Sequence, residues 1–433
     1  MRWLPAHLVA AFLGALLLAT GCGEPNPPSP QTTTAISSAS TRPTSLWAAT
    51  ELSYPDDPVA STYKDIGERT FPHRDIRLSL VRPELLDASG RYALLTDRRS
   101  QRLHAVDLRS GRTRVLLSSP LTLREAPSRI WVRARAALRK TFGARFTPTL
   151  IFSARISGRQ VVWQEALCIT TGGFDMDAWA LYAARLTPQM QLGPAKLLAL
   201  VQPPFVPAGR PEVNWPRVNL TLEYSLQQKR LLLIRGVGRG EVAEVVDLTS
   251  DRREVLLDPP RSLSAVEGAL AGERAVVCCL TGEDTARLLT YDLADDGLPC
   301  GVADLPQSNL QFTDLRGFAL APDGRLAWAK WYTPGGGTDD AEAVFLLSPD
   351  GTIECLAPIG GEPVFFGSTV LWVGLTGSRF WLGGADLDAR ERFTVTAADH
   401  VKSWSVAGDG HVAVVLVESG DRASSTLRVF DVR

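Results

Sequence analysis

Residues 318–331 read FALAPDGRLAWAKW, with the tight turn Pro322-Asp323-Gly324 between two apolar stretches. Proline presets the backbone of such a turn and glycine accepts a positive φ, so the pattern predicts a β-hairpin. A tight turn entering an apolar strand returns six more times, in DASGRYALLT at 87, RISGRQVVWQ at 155, LQQKRLLLI at 226, LAGERAVVCCL at 270, FGSTVLWVGL at 366 and AGDGHVAVVLV at 407. The chain is therefore built from repeats.

A second repeat alternates with the first and consists of a strand, often ending in Asp-Leu, a turn and another strand. Its copies are LHAVDLRSGRTRVLL at 103, ALYAARLTPQMQLGPAKLLAL at 180, EVVDLTSDRREVLL at 244, LLTYDLADDGLPCGVADL at 288, VFLLSPDGTIECLAP at 344, LGGADLDARERFTVT at 382 and LRVFDVR at 427. One copy of each repeat makes two hairpins, or four strands. The sequence thus predicts an all-β fold, a β-propeller of seven four-stranded blades, with six or eight as alternatives.

The last repeat supplies three strands before the sequence ends at Arg433. The segment RDIRLSLVR, residues 74–82, precedes the first repeat and alternates like a strand. We predict that it supplies the missing outer strand and closes the ring, so that the propeller domain covers 74–433.

The segments FALAPDGRLAWAKW and AGDGHVAVVLV resemble the WD40-like repeats of TolB-type periplasmic propellers. The Pro-Asp-Gly turn of these repeats is matched at 322–324, and its last two residues are matched by Asp409 and Gly410. This resemblance implies the propeller fold, but a fold by itself does not define a function.

The first residues contain the apolar run Leu8–Leu18, preceded by Arg2. About 20 helical residues are needed to span a bilayer, so this shorter run predicts a signal peptide over residues 1–21. The residues just before Cys22 are small and resemble the lipobox of bacterial lipoproteins. That resemblance implies that Cys22 is lipidated and becomes the first residue of the mature chain, the alternative being an ordinary cleaved signal.

The segment after the cysteine predicts a membrane tether. Residues 22–45 are rich in Pro, Ser and Thr and contain too little apolar surface to fold. Residues 46–73 carry scattered aromatic side chains, and we predict a strap that lies along the domain. The expected location is extracytoplasmic, at a bacterial membrane. Gly23 after the cysteine implies the periplasmic side of the outer membrane where the cell has two membranes.

Long connections are predicted on one face of the ring, and short turns on the other. The long connections are residues 120–148, 170–179, 202–217 and 332–343. Binding sites usually lie on such loops, so the candidate binding residues are Trp131, Arg133, Trp179, Trp215 and Trp331. Residues 120–148 also predict a basic helix beginning at Ser128, which either contacts an anionic surface or packs on the ring with its arginines in solvent.

The sequence contains few candidate catalytic or metal-binding motifs. The five histidines have no metal-ligand spacing, and no nucleophile elbow or phosphate loop is present. Weak calcium candidates are Asp175, Asp177, Asp339 and Asp340, in glycine-rich loops. We therefore predict no catalytic residue, no resident metal and no cofactor, and the five cysteines after Cys22 allow no disulfide assignment.

The balanced charge, 46 basic against 47 acidic residues, argues against a nucleic-acid partner. We predict a monomeric ring, attached to the membrane through its N-terminal lipid, that acts as a non-catalytic binding or scaffold protein with an envelope protein as partner. The alternative is a propeller enzyme, a hydrolase, lyase or sugar oxidoreductase, acting on an envelope or extracellular polysaccharide or peptide. Carboxylates that converge in the central funnel would favour the enzyme, whereas an apolar, aromatic rim would favour the binding protein.

Overall fold

The computed structural model of the chain is an almost pure β structure. The residues it describes are 47, 52, 62–97, 101–129, 131–132, 136, 149–168, 176–201, 222–237, 240–258, 263–281, 285–294, 299–305, 315–332, 341–376, 379–395, 401–418 and 425–431. Among these residues, no helix is both long enough and apolar enough to cross a bilayer.

Seven antiparallel four-stranded units follow one another along the chain, as predicted. Blade 1 contains β3 (Pro83–Ser89), β4 (Tyr92–Asp97), β5 (Arg102–Asp107) and β6 (Thr113–Leu117). Blade 2 contains β7 (Thr149–Ser157), β8 (Gln160–Cys168), β9 (Met176–Arg185) and β10 (Lys196–Val201). Blade 3 contains β11 (Leu222–Gln227), β12 (Arg230–Val237), β13 (Gly240–Asp247) and β14 (Arg253–Leu257).

The remaining four blades have the same order of strands. Blade 4 contains β15 (Leu263–Ala271), β16 (Arg274–Thr281), β17 (Thr285–Asp292) and β18 (Pro299–Leu305). Blade 5 contains β19 (Leu315–Leu320), β20 (Leu326–Tyr332), β21 (Ala341–Leu347) and β22 (Ile353–Ala357). Blade 6 contains β23 (Val364–Phe366), β24 (Thr369–Thr376), β25 (Arg379–Asp386) and β26 (Glu391–Val395), and blade 7 contains β27 (Val401–Gly408), β28 (Val412–Glu418) and β29 (Ser425–Asp431).

The fourth strand of blade 7 comes from the N-terminal side of the chain. Strand β2 (His73–Leu78) pairs antiparallel with β29, with Ile76 opposite Leu427. Asp75 accepts two hydrogen bonds from the Arg428 guanidinium, at 2.8 and 2.7 Å. The predicted closure of the ring by this segment is therefore confirmed.

The first strands of successive blades contact one another in a closed cycle, so they line the centre of the ring. Seven separate hydrophobic clusters lie between neighbouring blades, one at each interface. In β16, for example, Cys278 packs toward blade 5, whereas Cys279 packs toward blade 3. A strand buried on both faces reads as a continuous apolar run rather than an alternating one.

The described residues before β2 pack against the ring. Trp47 is fully buried between blades 4 and 5, and its indole N–H donates to the Gly324 carbonyl at 3.3 Å. Strand β1 (Lys64–Arg69) pairs in parallel with β26, as a fifth strand on blade 6. The described residues of the strap therefore contact blades 4, 5 and 6.

The connection after blade 1 is only partly described. A short 3-10 helix covers Leu121–Leu123, and residues 129, 131, 132 and 136 are helical. The Ser128 hydroxyl accepts the Trp131 N–H at 3.5 Å, as expected of a residue that caps a helix start. The rest of the predicted basic helix lies outside the described residues.

Candidate axial binding site

Five charged side chains come from five different blades. Asp87, Arg155, Glu223 and Glu267 lie on the first strands of blades 1 to 4, and Glu362 lies just before the first strand of blade 6. We call these five residues the axial cluster. Blades 2 and 6 are not neighbours, yet Arg155 and Glu362 interact electrostatically. Such an interaction can only pass across the centre of the ring, so the axial cluster surrounds the central channel.

The three glutamates occupy equivalent positions in their blades. Each lies five residues before the first residue of a hairpin turn, and those turn residues are Gln228 (φ 52°), Gly272 (φ 59°) and Gly367 (φ 61°). Equal distance from the same type of turn places the three carboxyl groups at a similar height along the channel. Arg155 lies three residues before its own turn residue, Gly158, and is therefore nearer the short-turn face.

Backbone contacts fix this part of the channel wall. The Asp87 carboxylate accepts the Ile156 N–H at 2.7 Å and so joins blade 1 to blade 2. The Ser153 hydroxyl donates to Gln164 at 2.8 Å, which uses its single proton. At 2.9 Å, the Tyr224 hydroxyl must therefore donate to Ser153, which joins blade 2 to blade 3.

The position of the Glu362 side chain depends on a glycine in the preceding blade, blade 5. Gly317 on β19 has a φ of +66°, and a Cβ atom built there would lie 2.6 Å from the Cγ of Glu362. No other residue type leaves this space and also accepts this backbone conformation without strain. The glycine therefore permits the position of the Glu362 side chain.

Burial raises the pKa of Asp87, Glu223 and Glu267. The pKa of Glu223 rises to about 7, because enclosure and Glu362 oppose ionisation more strongly than Arg155 favours it. Burial also raises the pKa of Glu267 well above its usual range, with further increases from Glu223 and Glu362. The pKa of Asp87 rises to about 6, again mainly through burial, although Arg155 lowers it.

Glu223 remains in contact with solvent, although its pKa is raised by burial. Solvent in the central channel accounts for both the exposure and the raised pKa, because protein surrounds the carboxyl group while the channel leaves it in contact with water. Burial therefore favours the protonated forms of Asp87, Glu223 and Glu267.

Hydrogen bonds between blades hold the short-turn face rigid. The Asp409 carboxylate of blade 7 accepts the Ser89 hydroxyl at 2.8 Å and the Gly90 N–H at 2.7 Å. The Ser157 hydroxyl accepts the Gln228 N–H at 2.6 Å, and the Gln227 side chain accepts the Gly272 N–H at 2.5 Å. These contacts preorganise the strands that carry the axial cluster.

The axial cluster can bind positively charged groups and hydrogen-bond donors through its carboxylates, and an acceptor through Arg155. Among the described residues, no group of three acidic, histidine or cysteine side chains is arranged to hold a metal ion. His104, the one buried histidine in the described ranges, lies on β5, the third strand of its blade, and not on a channel-lining strand.

The predicted binding residues are not brought together by the described part of the structure. Trp131 is fully buried in the cluster between blades 1 and 2, so its side chain is not available to a partner. Its helix begins against the ring, and the indole belongs to the same hydrophobic cluster as Trp163. Trp179 is half-buried and contacts the Phe152 ring, with centroids 5.0 Å apart.

The other predicted site residues are placed only in part. Trp331 lies in β20 and Asp177 in β9, but their side chains are outside the described set. Arg133, Trp215, Cys22, Asp175, Asp339 and Asp340 lie outside the described residues altogether. The described cysteines Cys278, Cys279 and Cys300 are free thiols.

The axial cluster was not predicted from the sequence, although a signal is present. The predicted repeats consist of the short turns and the strands that come after them, whereas the glutamates come before the turns. Glutamate stands five residues before the turn in three of the seven copies, at 223, 267 and 362. Comparison of the same position in every copy would have predicted these channel residues.

No protein-family model matches the sequence, and the search of curated proteins finds no relative. Among solved structures, TolB from Acinetobacter baumannii is similar at 15% identity and a TM-score of 0.40, over 70% of this chain and 61% of that chain. The β-propeller domain of the Trilobed protease from Pyrococcus furiosus is similar at 11% identity and a TM-score of 0.47, over 81% and 96%.

A prolyl endopeptidase structure is also similar, at 11% identity and a TM-score of 0.47, over 83% of this chain and 47% of that chain. The chain thus spans less than two thirds of TolB and about half of the endopeptidase. These likenesses concern architecture alone. The assignment of a seven-bladed β-propeller rests on the strand order of this chain.

Proposed function

We propose that this protein is a non-catalytic binding or scaffold propeller of the bacterial envelope, held at the membrane by a lipid on Cys22, and that its central channel binds a ligand. The observation that carries the proposal is the axial cluster. Charged side chains from five blades lie on or beside the strands that line the centre of the ring and interact electrostatically, and hydrogen bonds between blades fix these strands. Such convergent polar groups in a concave site are typical of ligand binding.

The docked strap supports tethered presentation. Trp47 is buried against the ring, so only residues 23–46 are left as slack behind the proposed lipid. A chain of this length extends at most about 80 Å, and its average span as a flexible coil is about 25–30 Å. The ring would therefore stay close to the bilayer, where its effective concentration toward a membrane partner is high.

We expect the protein partner to bind the face of the long connections, where Trp215 and Trp331 are predicted. The test is crosslinking in intact cells, followed by affinity recovery of the full-length chain and of a Cys22→Ser variant. A membrane protein recovered only with the lipidated chain supports the proposal. Failure to recover any protein with either chain counts against an envelope partner, and retention of the partner by a Trp215→Ala, Trp331→Ala double variant moves its contact elsewhere.

The enzyme alternative has one specific observation in its favour, namely the converging carboxylates. Glu223, with a pKa of about 7, could donate a proton to a leaving group. Against this, the axial cluster is enclosed by the ring, so an internal bond of a polysaccharide must thread into the channel to reach it. The test is release of reducing ends from envelope polysaccharides, by the wild-type chain but not by Glu223→Gln.

A further inference from the structure

We propose that the short-turn face of the ring contacts the surface of an anionic membrane through four exposed arginines, Arg109, Arg112, Arg185 and Arg252, which we call the basic rim. The face of the long connections then points away from the bilayer, where a protein partner can reach it. This inference rests on the proposed function, in that a lipid on Cys22 holds the ring at a membrane, and it names the surface that faces the bilayer.

Backbone hydrogen bonds hold both short turns of a blade side by side on one face. The Leu108 N–H, just after the third strand of blade 1, donates at 2.7 Å to the carbonyl of Arg91, in the turn between the first two strands. In blade 3, Leu248 donates to Lys229 in the same way at 2.8 Å, and Leu186 makes the equivalent bond in blade 2. The turns between third and fourth strands, which carry the basic rim, therefore belong to the short-turn face.

Positive and negative charges are separated on the short-turn face. Its turns in blades 1 to 3 contain nine basic and three acidic residues, in segments 89–91, 107–112, 157–159, 185–196, 227–230 and 247–252. Its described turns in blades 5 to 7 contain two basic and six acidic residues, in segments 321–325, 348–352, 366–369, 386–391 and 408–411. One side of this face is thus positive, although the whole chain has a formal net charge of −1.

The basic rim carries the positive charge that is not neutralised within the ring. The three acids in the turns of blades 1 to 3 are each paired with a lysine or arginine outside the basic rim, in the pairs Asp107–Arg91, Asp247–Lys229 and Asp251–Lys196. The four arginine side chains of the basic rim are exposed and make no ion pair or hydrogen bond with another described residue. Their guanidinium groups are therefore open to a partner with negative charge.

Contacts between neighbouring blades join the turns of the basic rim into one surface. Arg114, in β6 of blade 1, donates at 2.8 Å to the carbonyl of Gln189, in the turn of blade 2 that follows Arg185. Lys196 of blade 2 forms an ion pair with Asp251, the residue before Arg252 in blade 3. The basic rim thus extends over three adjacent blades, as a partner with a broad, flat surface requires.

The tether meets the ring on the same face, which is a second and independent observation. The Trp47 indole N–H donates at 3.3 Å to the carbonyl of Gly324, and Gly324 belongs to the short turn between β19 and β20. A lipid on Cys22 therefore pulls on the short-turn face and not on the face of the long connections. The slack between them averages about 25–30 Å as a flexible coil, which keeps the short-turn face near the bilayer.

An anionic phospholipid surface matches the basic rim in its chemistry. Guanidinium groups bind phosphate oxygens through paired N–H donors, and each basic side chain close to an anionic bilayer strengthens binding by about fivefold. The tether supplies a high local concentration of the surface, so these contacts need only orient the ring and not recruit it. The attraction extends only about 8 Å at physiological ionic strength, so we expect high salt to abolish it.

The test measures energy transfer from the ring to acceptor-labelled lipids, with the lipidated full-length chain inserted in vesicles. A fluorescent amino acid introduced at position 110 marks the short-turn face, and one introduced at position 125 marks the face of the long connections. Vesicles of phosphatidylcholine, with and without phosphatidylglycerol, compare an anionic with a neutral surface. We expect more transfer from position 110 than from position 125 when phosphatidylglycerol is present, and loss of this difference in neutral vesicles or in high salt.

Two variants with the same change in charge assign the contact to a face. The first removes the basic rim, by the substitutions Arg109→Gln, Arg112→Gln, Arg185→Gln and Arg252→Gln. It should lower the ratio of surface-bound to unbound orientations by about 100-fold or more, so that transfer from position 110 falls to its value in neutral vesicles. The matched control replaces four exposed arginines at the opposite face, by Arg82→Gln, Arg102→Gln, Arg124→Gln and Arg129→Gln, and should behave like the wild type. Thermal unfolding confirms that both variants are folded.

Three results would overturn the inference. Greater transfer from position 125 than from position 110, or loss of the difference in the control variant, assigns the membrane contact to the opposite face. Transfer that does not respond to phosphatidylglycerol excludes an anionic surface as the partner. Wild-type transfer in the first variant shows that the basic rim does not make the contact.

Mass spectrometry of residue 22 separates these outcomes from failure of the proposed function. A chain that carries the lipid but shows no preferred orientation refutes the inference and leaves the proposed envelope role standing. A chain without lipid on Cys22 refutes the membrane attachment in the proposed function, and the inference fails with it.

Discussion

Shortening Leu78 to alanine tests how the ring is closed. Leu78 ends β2 and is 2% exposed in the cluster that joins blade 7 to blade 1. The substitution removes three buried carbon atoms, a transfer cost of about 2.4 kcal/mol, and the cavity left behind adds to it, so we expect a loss of about 2.5–4 kcal/mol in the free energy of unfolding. The substitution weakens the interface between blade 7 and blade 1, where the two ends of the propeller meet.

Urea unfolding of the full-length chain, followed by tryptophan fluorescence and far-ultraviolet circular dichroism, measures this loss. The matched control is Arg77→Ala, because Arg77 is the exposed neighbour in the same strand and its backbone pairing with Thr426 is retained. We expect the control to stay within about 0.5 kcal/mol of the wild type. Equal losses in the two variants, or a Leu78→Ala chain as stable as the wild type, would refute the role of β2 as the closing strand.

Three further predictions concern groups with unusual surroundings. The pKa of Glu223 is higher in the folded than in the unfolded chain, so its contribution to the free energy of unfolding is present at low pH and is lost as the pH rises toward 7 and beyond. Glu223→Gln should therefore flatten the fall in stability between about pH 5 and pH 8. Urea unfolding at several pH values measures this. Burial lowers the pKa of His104, whose two ring nitrogens lack hydrogen-bond partners in the described structure. Protonation of this histidine therefore favours the unfolded chain. The His104→Leu variant should lose less stability than the wild type when the pH falls from about 7 to about 5. Gly317→Ala should cost about 1–3 kcal/mol. Adding Glu362→Ala should restore only the part due to the clash with the Glu362 Cγ, because the Glu362 Cβ would still lie 2.7 Å from the new methyl group and the positive φ persists; a double-mutant cycle measures this coupling. Additive losses in that cycle would show that Gly317 and Glu362 do not interact.

Local features of the sequence were sufficient to predict the architecture of four-stranded blades. Each hairpin is specified within about ten residues by its turn and by the strands beside it, as in the Pro322-Asp323-Gly324 turn and the copies aligned to it. The closing strand was also readable, because the last repeat has three strands and residues 74–82 alternate like a fourth. Trp163, Trp328 and Trp372, which lie in the apolar strands of these hairpins, are fully buried.

Only the tertiary structure decided which side chains meet. Trp131 belongs to a connection and looked available to a partner, but its helix starts against blades 1 and 2, where the indole is buried. Burial of that kind depends on the neighbouring blade and not on the residues beside Trp131 in the chain.

The axial cluster shows the same limit most clearly. Arg155 and Glu362 are more than two hundred residues apart in sequence, and their interaction exists because seven blades close into a ring. The repeated position of the glutamates before the turns is written in the sequence, whereas the shared channel and the raised pKa values of Glu223 and Glu267 arise from enclosure by the ring. Strand formation is local, so the sequence determined the blades, but convergence at the axis depends on ring closure, and only the folded chain brings those charges together.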